Sequence, residues 1–196
     1  LSYLLLPLDT KGITIRPIKA LNGKQAFAEV FFDDVRVSAA NRIGDEGQGL
    51  RIALSGLEGG RIGIAAQSVG MARAAFEAAL AYAKERVAFG KPIYEHQALQ
   101  FRLGEMATSI EAARQLLHHA ASLKDAGRPC LKEAAMAKLF ASEMAERVCS
   151  AAIQVFGGYG YVSDFPVERI YRDVRVCQIY EGTSDVQKIL IGRALA

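Results

Sequence analysis

Three polar or glycine-rich clusters crowd the last quarter of the chain, and they hold the side chains best suited to chemistry. They are Gln154-Val155-Phe156-Gly157-Gly158-Tyr159-Gly160-Tyr161, the charged group Glu168, Arg169, Arg172, Asp173 and Arg175, and Ile179-Tyr180-Glu181-Gly182-Thr183-Ser184. In the third, a carboxylate follows two apolar residues and precedes a glycine. Thr183 or Ser184 fits the N-cap of a closing helix. A helix start offers free N–H groups and partial positive charge, which suit phosphate or an oxyanion. Glu181 is therefore a candidate general base, although a loop carboxylate paired with a nearby arginine is the simpler reading of the spacing. Arg86-Val87-Ala88-Phe89-Gly90-Lys91-Pro92 reads as a helix C-cap, with Gln97 beyond it. Gly157-Gly158 reads as a cap and turn, or as a place where backbone approaches a ligand. Arg169, Arg172 and Asp173 read as a structural ion-pair network, His118 and His119 as solvent or interface residues on different helix faces, and Asp33-Asp34 as a strand edge or turn.

Other chemistries find no support. The sequence has no P-loop, GxGxxG, nucleophile elbow or HExxH. Its three cysteines, Cys130, Cys149 and Cys177, are widely spaced, with no CxxC, which predicts reduced thiols in an intracellular compartment rather than disulfides or zinc. The 24 Lys+Arg against 21 Asp+Glu leave a net charge of +3 without a basic block, so nucleic-acid binding is not expected. The longest uncharged run, Val148 to Ser163, is interrupted by glycines and too short to span a bilayer.

The elements that must position these residues differ on either side of residue 44. Before it, Ile13, Ile15 and Ile18, then Ala28, Val30 and Phe32, then Val35 and Val37 predict short strands separated by turn signals at Asp9–Gly12 and Leu21–Lys24. After it the pattern is helical: 24 of the 32 alanines lie between Ala65 and Ala152, and alanine both favours helix and permits close helix packing. Leu99, Leu103, Met106, Ile110, Ala113, Leu117 and Ala120 form an apolar stripe of about six turns, ended by Gly127-Arg128-Pro129. A second helix is expected from about Leu131 to Gly157, with Met136, Phe140, Met144, Val148 and Ala152 inward. A third is expected over about Arg61 to Arg86, carrying Ile62, Ala65, Val69, Phe76 and Leu80, and short helices near Pro166–Arg175 and Ser184–Leu195. The expected fold is mainly α: an antiparallel four-helix-type bundle over 44–196, preceded by a partial β-domain over 1–43.

These motifs, in this order, resemble the acyl-CoA dehydrogenase family over essentially the whole chain. Phe31-Phe32-Asp33-Asp34-Val35-Arg36-Val37 looks like the end of that family's middle β-domain. Arg86-x-x-Phe89-Gly90-x-Pro92 with Gln97, Gln154-x-x-Gly157-Gly158-x-Gly160-Tyr161, and Ile179-Tyr180-Glu181-Gly182-Thr183-Ser184 look like its C-terminal motifs. The resemblance implies FAD as cofactor and Glu181 as the catalytic base. It implies a substrate contact at Gly182 and FAD contacts at Thr183, Ser184 and Asp185. Arg86, Phe89, Gln97, Gln154, Gly157 and Gly158 would reach the FAD of a neighbouring subunit, and Glu58 and Arg61 would flank a segment touching the CoA side of the substrate. In the isovaleryl and long-chain branches the base lies just before the residue matching Arg61; here that position is Gly60, which cannot act as a base. Short-chain and short-branched-chain members look most similar, through Gly59–Ala65 and Lys132–Lys138.

The implied reaction converts an acyl-CoA thioester to a trans-2-enoyl-CoA. Glu181 removes the α-proton, the flavin accepts the β-hydrogen, and electrons pass to an electron-transfer flavoprotein. The implied assembly is a homotetramer, a dimer of dimers, in a bacterial cytoplasm or a mitochondrial matrix. An acyl-CoA oxidase and a non-catalytic assembly partner of the same family are the alternatives. The chain opens at Leu1 inside a hydrophobic run, the pattern of a piece of a longer polypeptide. As such it is expected to fold at least as a bundle but to be inactive and free of FAD alone.

Overall fold

The computed structural model describes all 196 residues. Two compact units divide the chain, Leu1–Leu57 and Glu58–Ala196. In the first, β1 (Tyr3–Leu4) pairs antiparallel with β4 (Arg42–Ile43), and β2 (Ile13–Ile18) pairs antiparallel with β3 (Phe27–Phe32), Ile15 facing Val30. The predicted strand at Val35–Val37 does not form. Asp34 adopts φ +45°, which turns the chain out of β3, and the segment finds no pairing partner. Gly12 allows the other side of this turn: a Cβ there would collide with the Asp33 carbonyl.

Five α-helices follow: α1 (Gly49–Glu85), α2 (Gln97–Asp125), α3 (Leu131–Phe156), α4 (Pro166–Val174) and α5 (Ser184–Arg193). Helix α1 begins twelve residues before the expected start. Gly56, Gly59, Gly60 and Gly63 all lie within it, each costing about 1 kcal/mol relative to alanine, so local propensity points away from helix in this stretch, whose residues 50–60 are exposed or half-buried. Its fully buried face is a stripe of small residues, Ala65, Ala72, Ala75, Ala79 and Ala83, with Val69 nearly so. The predicted Ile62, Phe76 and Leu80 are half-buried beside that stripe. On α2 the expected stripe packs as read, Leu103, Met106, Ile110, Ala113 and Ala120 being buried. On α3, Met144, Val148 and Ala152 face the core, whereas Phe140 is exposed and Met136 half-buried. The inward face there runs through Ala134, Ala137, Lys138, Ala141 and Ala145.

Between α1 and α2 the expected helix cap is a hairpin. Strands β5 (Val87–Ala88) and β6 (Lys91–Pro92) flank a two-residue turn, Phe89 at φ +53° and Gly90 at φ +84°. Both central residues are left-handed, as in a type I′ turn, but phenylalanine is a poor signal for one. The far end of α3 is fixed by aromatic packing. Tyr82 stacks on Phe156 at 4.2 Å, and Phe165 lies 5.4 Å from Phe156 and 5.2 Å from Tyr159. Gly157 caps α3 at φ +61°, and Gly160 is required because a Cβ there would meet the Ile153 carbonyl oxygen at 2.5 Å.

Candidate functional site

Glu181 sits on two successive left-handed residues, itself at φ +55° and Gly182 at φ +91°. For a non-glycine residue this conformation costs about 1–2 kcal/mol. The turn places the Glu181 carboxylate against α1 at Gly60. A Cβ built on Gly60 would stand 2.6 Å from the carboxyl carbon and collide with Oε2. The missing side chain is thus the space that the carboxylate occupies. Glu181 Oε2 is buried without a hydrogen-bond partner, and the Glu181 N–H makes no hydrogen bond within the chain. The expected arginine pairing of this carboxylate does not occur. The Thr183 hydroxyl accepts from the Val186 N–H at 3.4 Å, so Thr183 rather than Ser184 caps α5. The Ser184 hydroxyl is buried without a partner.

Buried polar groups gather around this turn. Arg61 is 6% exposed and its Nε makes no hydrogen bond. Lys138, wholly buried on α3, donates to the Gly182 carbonyl at 2.7 Å. Burial pushes its ammonium below the ordinary lysine range, while the neighbouring Cys177 and Glu181 act against that shift. Gln187, also wholly buried, donates from Nε2 to the carbonyls of Glu181 (3.1 Å) and Gly182 (2.9 Å). The Tyr180 hydroxyl donates to Gln67 Oε1 at 2.7 Å and shares a 3.6 Å contact with Cys177 Sγ. Burial, then the Cys177 contact, raises the phenol's pKa.

The remaining candidates fall into separate places. Arg86, Gly157 and Gly158 line a groove of about 360 Å³ with Tyr82, Phe156 and Tyr159. The Arg86 guanidinium lies 5.5 Å from the Tyr159 ring centroid, and no carboxylate pairs with it. Gln154 lines a different groove of about 500 Å³, with Arg102, Glu146, Arg147 and Tyr171. Phe89 stands at the hairpin tip, 96% exposed, and Gln97 is the exposed first residue of α2. Glu58 is engaged within the bundle: the buried Cys130 thiol donates to it at 3.3 Å, and Lys124 lies 3.6 Å away. Burial, then the hydrogen bond to Glu58, raises the Cys130 pKa. Of the charged cluster on and just after α4, Arg172 pairs with Glu168 at 2.8 Å and Arg175 reaches Glu146 at 3.7 Å.

The profile of the acyl-CoA dehydrogenase C-terminal domain matches residues 47–196. The chain belongs to the acyl-CoA dehydrogenase family. It is 51% identical over 197 aligned residues to a probable acyl-CoA dehydrogenase of Bacillus subtilis, covering 100% of this chain and 52% of that protein. It is 45% identical to the acryloyl-CoA reductase (NADH) of Anaerotignum propionicum, over 98% of this chain and 50% of that one. The butyryl-CoA dehydrogenase of Megasphaera elsdenii superposes with a TM-score of 0.96 at 44% identity, over 99% of this chain and 51% of that chain. The chain spans about half the length of the curated relatives it matches.

In this chain the tertiary structure brings Glu181, Gly182, Gly60 and Arg61 to one place, together with Lys138 and Gln187, which the sequence reading did not single out as site residues. Lys138 leaves a readable signal: it is the one charged residue on a helix face otherwise made of small and apolar residues. Gln187 leaves none, being one polar residue on a short helix that has several. No helix is long and apolar enough to cross a membrane.

Proposed function

We propose that the full-length protein carrying this chain oxidises the Cα–Cβ bond of an acyl-CoA thioester to the trans-2-enoyl-CoA, with Glu181 as the general base. One observation carries the reading: a carboxylate held in the gap left by a glycine, one oxygen buried and unpartnered, on a turn whose own N–H is free. Such a carboxylate can take the α-proton, and its N–H is available to a thioester oxygen that gains charge as the proton leaves. The buried surroundings limit the access of water. FAD, when bound, supplies the two-electron acceptor for the β-hydrogen.

The residues present fit that cofactor. An unpaired guanidinium, Arg86, on a groove beside Gly157-Gly158 suits a phosphate-bearing ligand. In this proposal Arg86, Phe89, Gln97, Gln154, Gly157 and Gly158 serve the FAD of a neighbouring subunit, and Thr183, Ser184 and Asp185 serve that of their own. Their scatter over two grooves, a hairpin tip and two helix starts fits a site shared between subunits of a dimer of dimers. Arg61 and Glu58 flank the segment next to the CoA portion. Residues 1–43 belong to a β-domain and 44–196 to the helical domain. Electrons leave to an electron-transfer flavoprotein, in a bacterial cytoplasm or a mitochondrial matrix.

The similarity to an acryloyl-CoA reductase favours a second direction for the same chemistry, in which Glu181 returns a proton to Cα. The test is anaerobic flavin bleaching by butyryl-CoA in the full-length, FAD-loaded protein. Glu181→Gln is expected to keep FAD and bind the thioester while losing about three orders of magnitude or more in reductive rate, the upper part of a general-base contribution. Near-normal bleaching in that variant refutes the assignment. Product formation from acryloyl-CoA and NADH, without bleaching by butyryl-CoA, gives the reverse direction.

A further inference from the structure

We propose that Lys138 is a positioning residue: with Gln187 it clamps the Glu181–Gly182 turn from the side of the two carbonyls, and so sets where the Glu181 carboxylate stands. The inference rests on Glu181 being the base.

Two buried donor groups converge on two adjacent peptides. Lys138 Nζ reaches the Gly182 carbonyl at 2.7 Å, and Gln187 Nε2 reaches the carbonyls of Glu181 and Gly182 at 3.1 and 2.9 Å. Both side chains are 0% exposed, and they come from different helices, α3 and α5. The turn they hold is strained, with a non-glycine residue left-handed at Glu181, and such a conformation persists only where its surroundings over-determine it. No backbone hydrogen bond ties the N–H of Glu181 or of Gly182, so the hydrogen bonds made by the turn's own two peptides are those of Lys138 and Gln187. An ammonium without any solvent exposure is an expensive way to satisfy one carbonyl. A stable core needs no cation on a face lined by Ala134, Ala137, Ala141 and Met144. Gln187 shows the same commitment, since its Oε1 is left without a partner while its amide nitrogen serves the turn. The carboxylate occupies a gap the size of one missing side chain at Gly60. Loosening the turn would let it leave that gap.

The test uses the full-length, FAD-loaded protein and stopped-flow flavin bleaching by butyryl-CoA. Lys138→Met keeps the aliphatic stem and removes the donor. Its expected result is a fall of about 10- to 100-fold in the limiting reductive rate, the scale of a misplaced reacting group, with the half-saturating substrate concentration changed less than about threefold and FAD content unchanged. In the Glu181→Gln background the same substitution should add less than about twofold, because a residue that acts through the base has nothing left to position. A merely structural role would slow both backgrounds equally, and that outcome overturns the proposal, as does a normal rate in Lys138→Met. If Lys138→Met does not fold, Gln187→Met, which removes the other donor group, carries the same two expectations and the same two refutations. The base assignment fails separately: Glu181→Gln alone would then retain its rate.

Discussion

The two units of the chain bury their apolar residues very differently. In Leu1–Leu57 the only buried residue is Gly49, and Ile15, Ile18, Phe27, Val30, Phe31 and Phe32 on the paired strands are all exposed. In Glu58–Ala196 a continuous core runs from Ala65 to Cys177. The contrast follows from geometry. A two-stranded ribbon has two faces and no layer of its own to cover either. A set of helices with apolar stripes can cover one another. Within residues 1–57, alternation gives pairing, as Ile15 opposite Val30 shows, without a second layer that covers either face. All the residues assigned to chemistry lie in the unit that has a core, where a side chain can be held in one place.

Four measurements break or sharpen this contrast. The largest expected effect is on stability. Met144→Ala, at a wholly buried position, should cost about 2–5 kcal/mol. Val30→Ala on the exposed hairpin should cost about 0.5 kcal/mol or less. Denaturant melts of the two variants decide it, and equal losses would mean that the hairpin is covered in solution.

Next comes the gap at Gly60. In the full-length protein Gly60→Ala should not lower the melting temperature, because the colliding atoms belong to the flexible end of the Glu181 side chain and alanine favours helix by about 1 kcal/mol over glycine. It should slow flavin reduction by about 100-fold by moving the carboxylate. A variant with normal bleaching would separate the gap from the chemistry.

Arg86→Ala should then weaken FAD retention by about tenfold, the loss of one charged donor, without altering the helical circular dichroism. Stoichiometric flavin after extensive dialysis would contradict the role given to that groove.

The smallest effect is the dependence of stability on pH. Burial pushes the Cys149 thiol from 9.0 up to about 12, so between these values the folded chain holds a proton that the unfolded chain releases. The stabilisation is complete below pH 9 and is lost as pH rises toward 12, by about 1.4 kcal/mol per pH unit at most. Cys130 and Tyr180, also raised by burial, add to the same alkaline loss. Lys138 works the other way, its depressed pKa favouring the fold as pH rises toward 10.5. Urea melts from pH 8 to 10.5 should show a shallower slope for Cys149→Ala than for the unaltered chain, whatever the cost of the substitution itself.

The sequence by itself determined what depends on neighbours along the chain. The stripe from Leu99 to Ala120 made α2, Gly157 stopped α3, and Thr183 capped α5, because each signal lies within a turn or two of the structure it specifies. Glu181 could be picked out as a candidate base from its apolar, glycine-flanked setting, and the ordered motifs pointed to the family. The tertiary structure alone decided the rest. The early start of α1 was hidden because Gly56, Gly59 and Gly60, which precede the expected start, are locally unfavourable to helix. The I′ hairpin at Phe89-Gly90 was hidden because its first residue is not one that the turn prefers. Above all, Gly60 and Glu181 are 121 positions apart, and Lys138 and Gly182 are 44 apart. Helical periodicity fixes which face a residue occupies. It carries no information on which distant residue that face will meet, since this depends on how whole helices pack and on the atoms that each side chain leaves out.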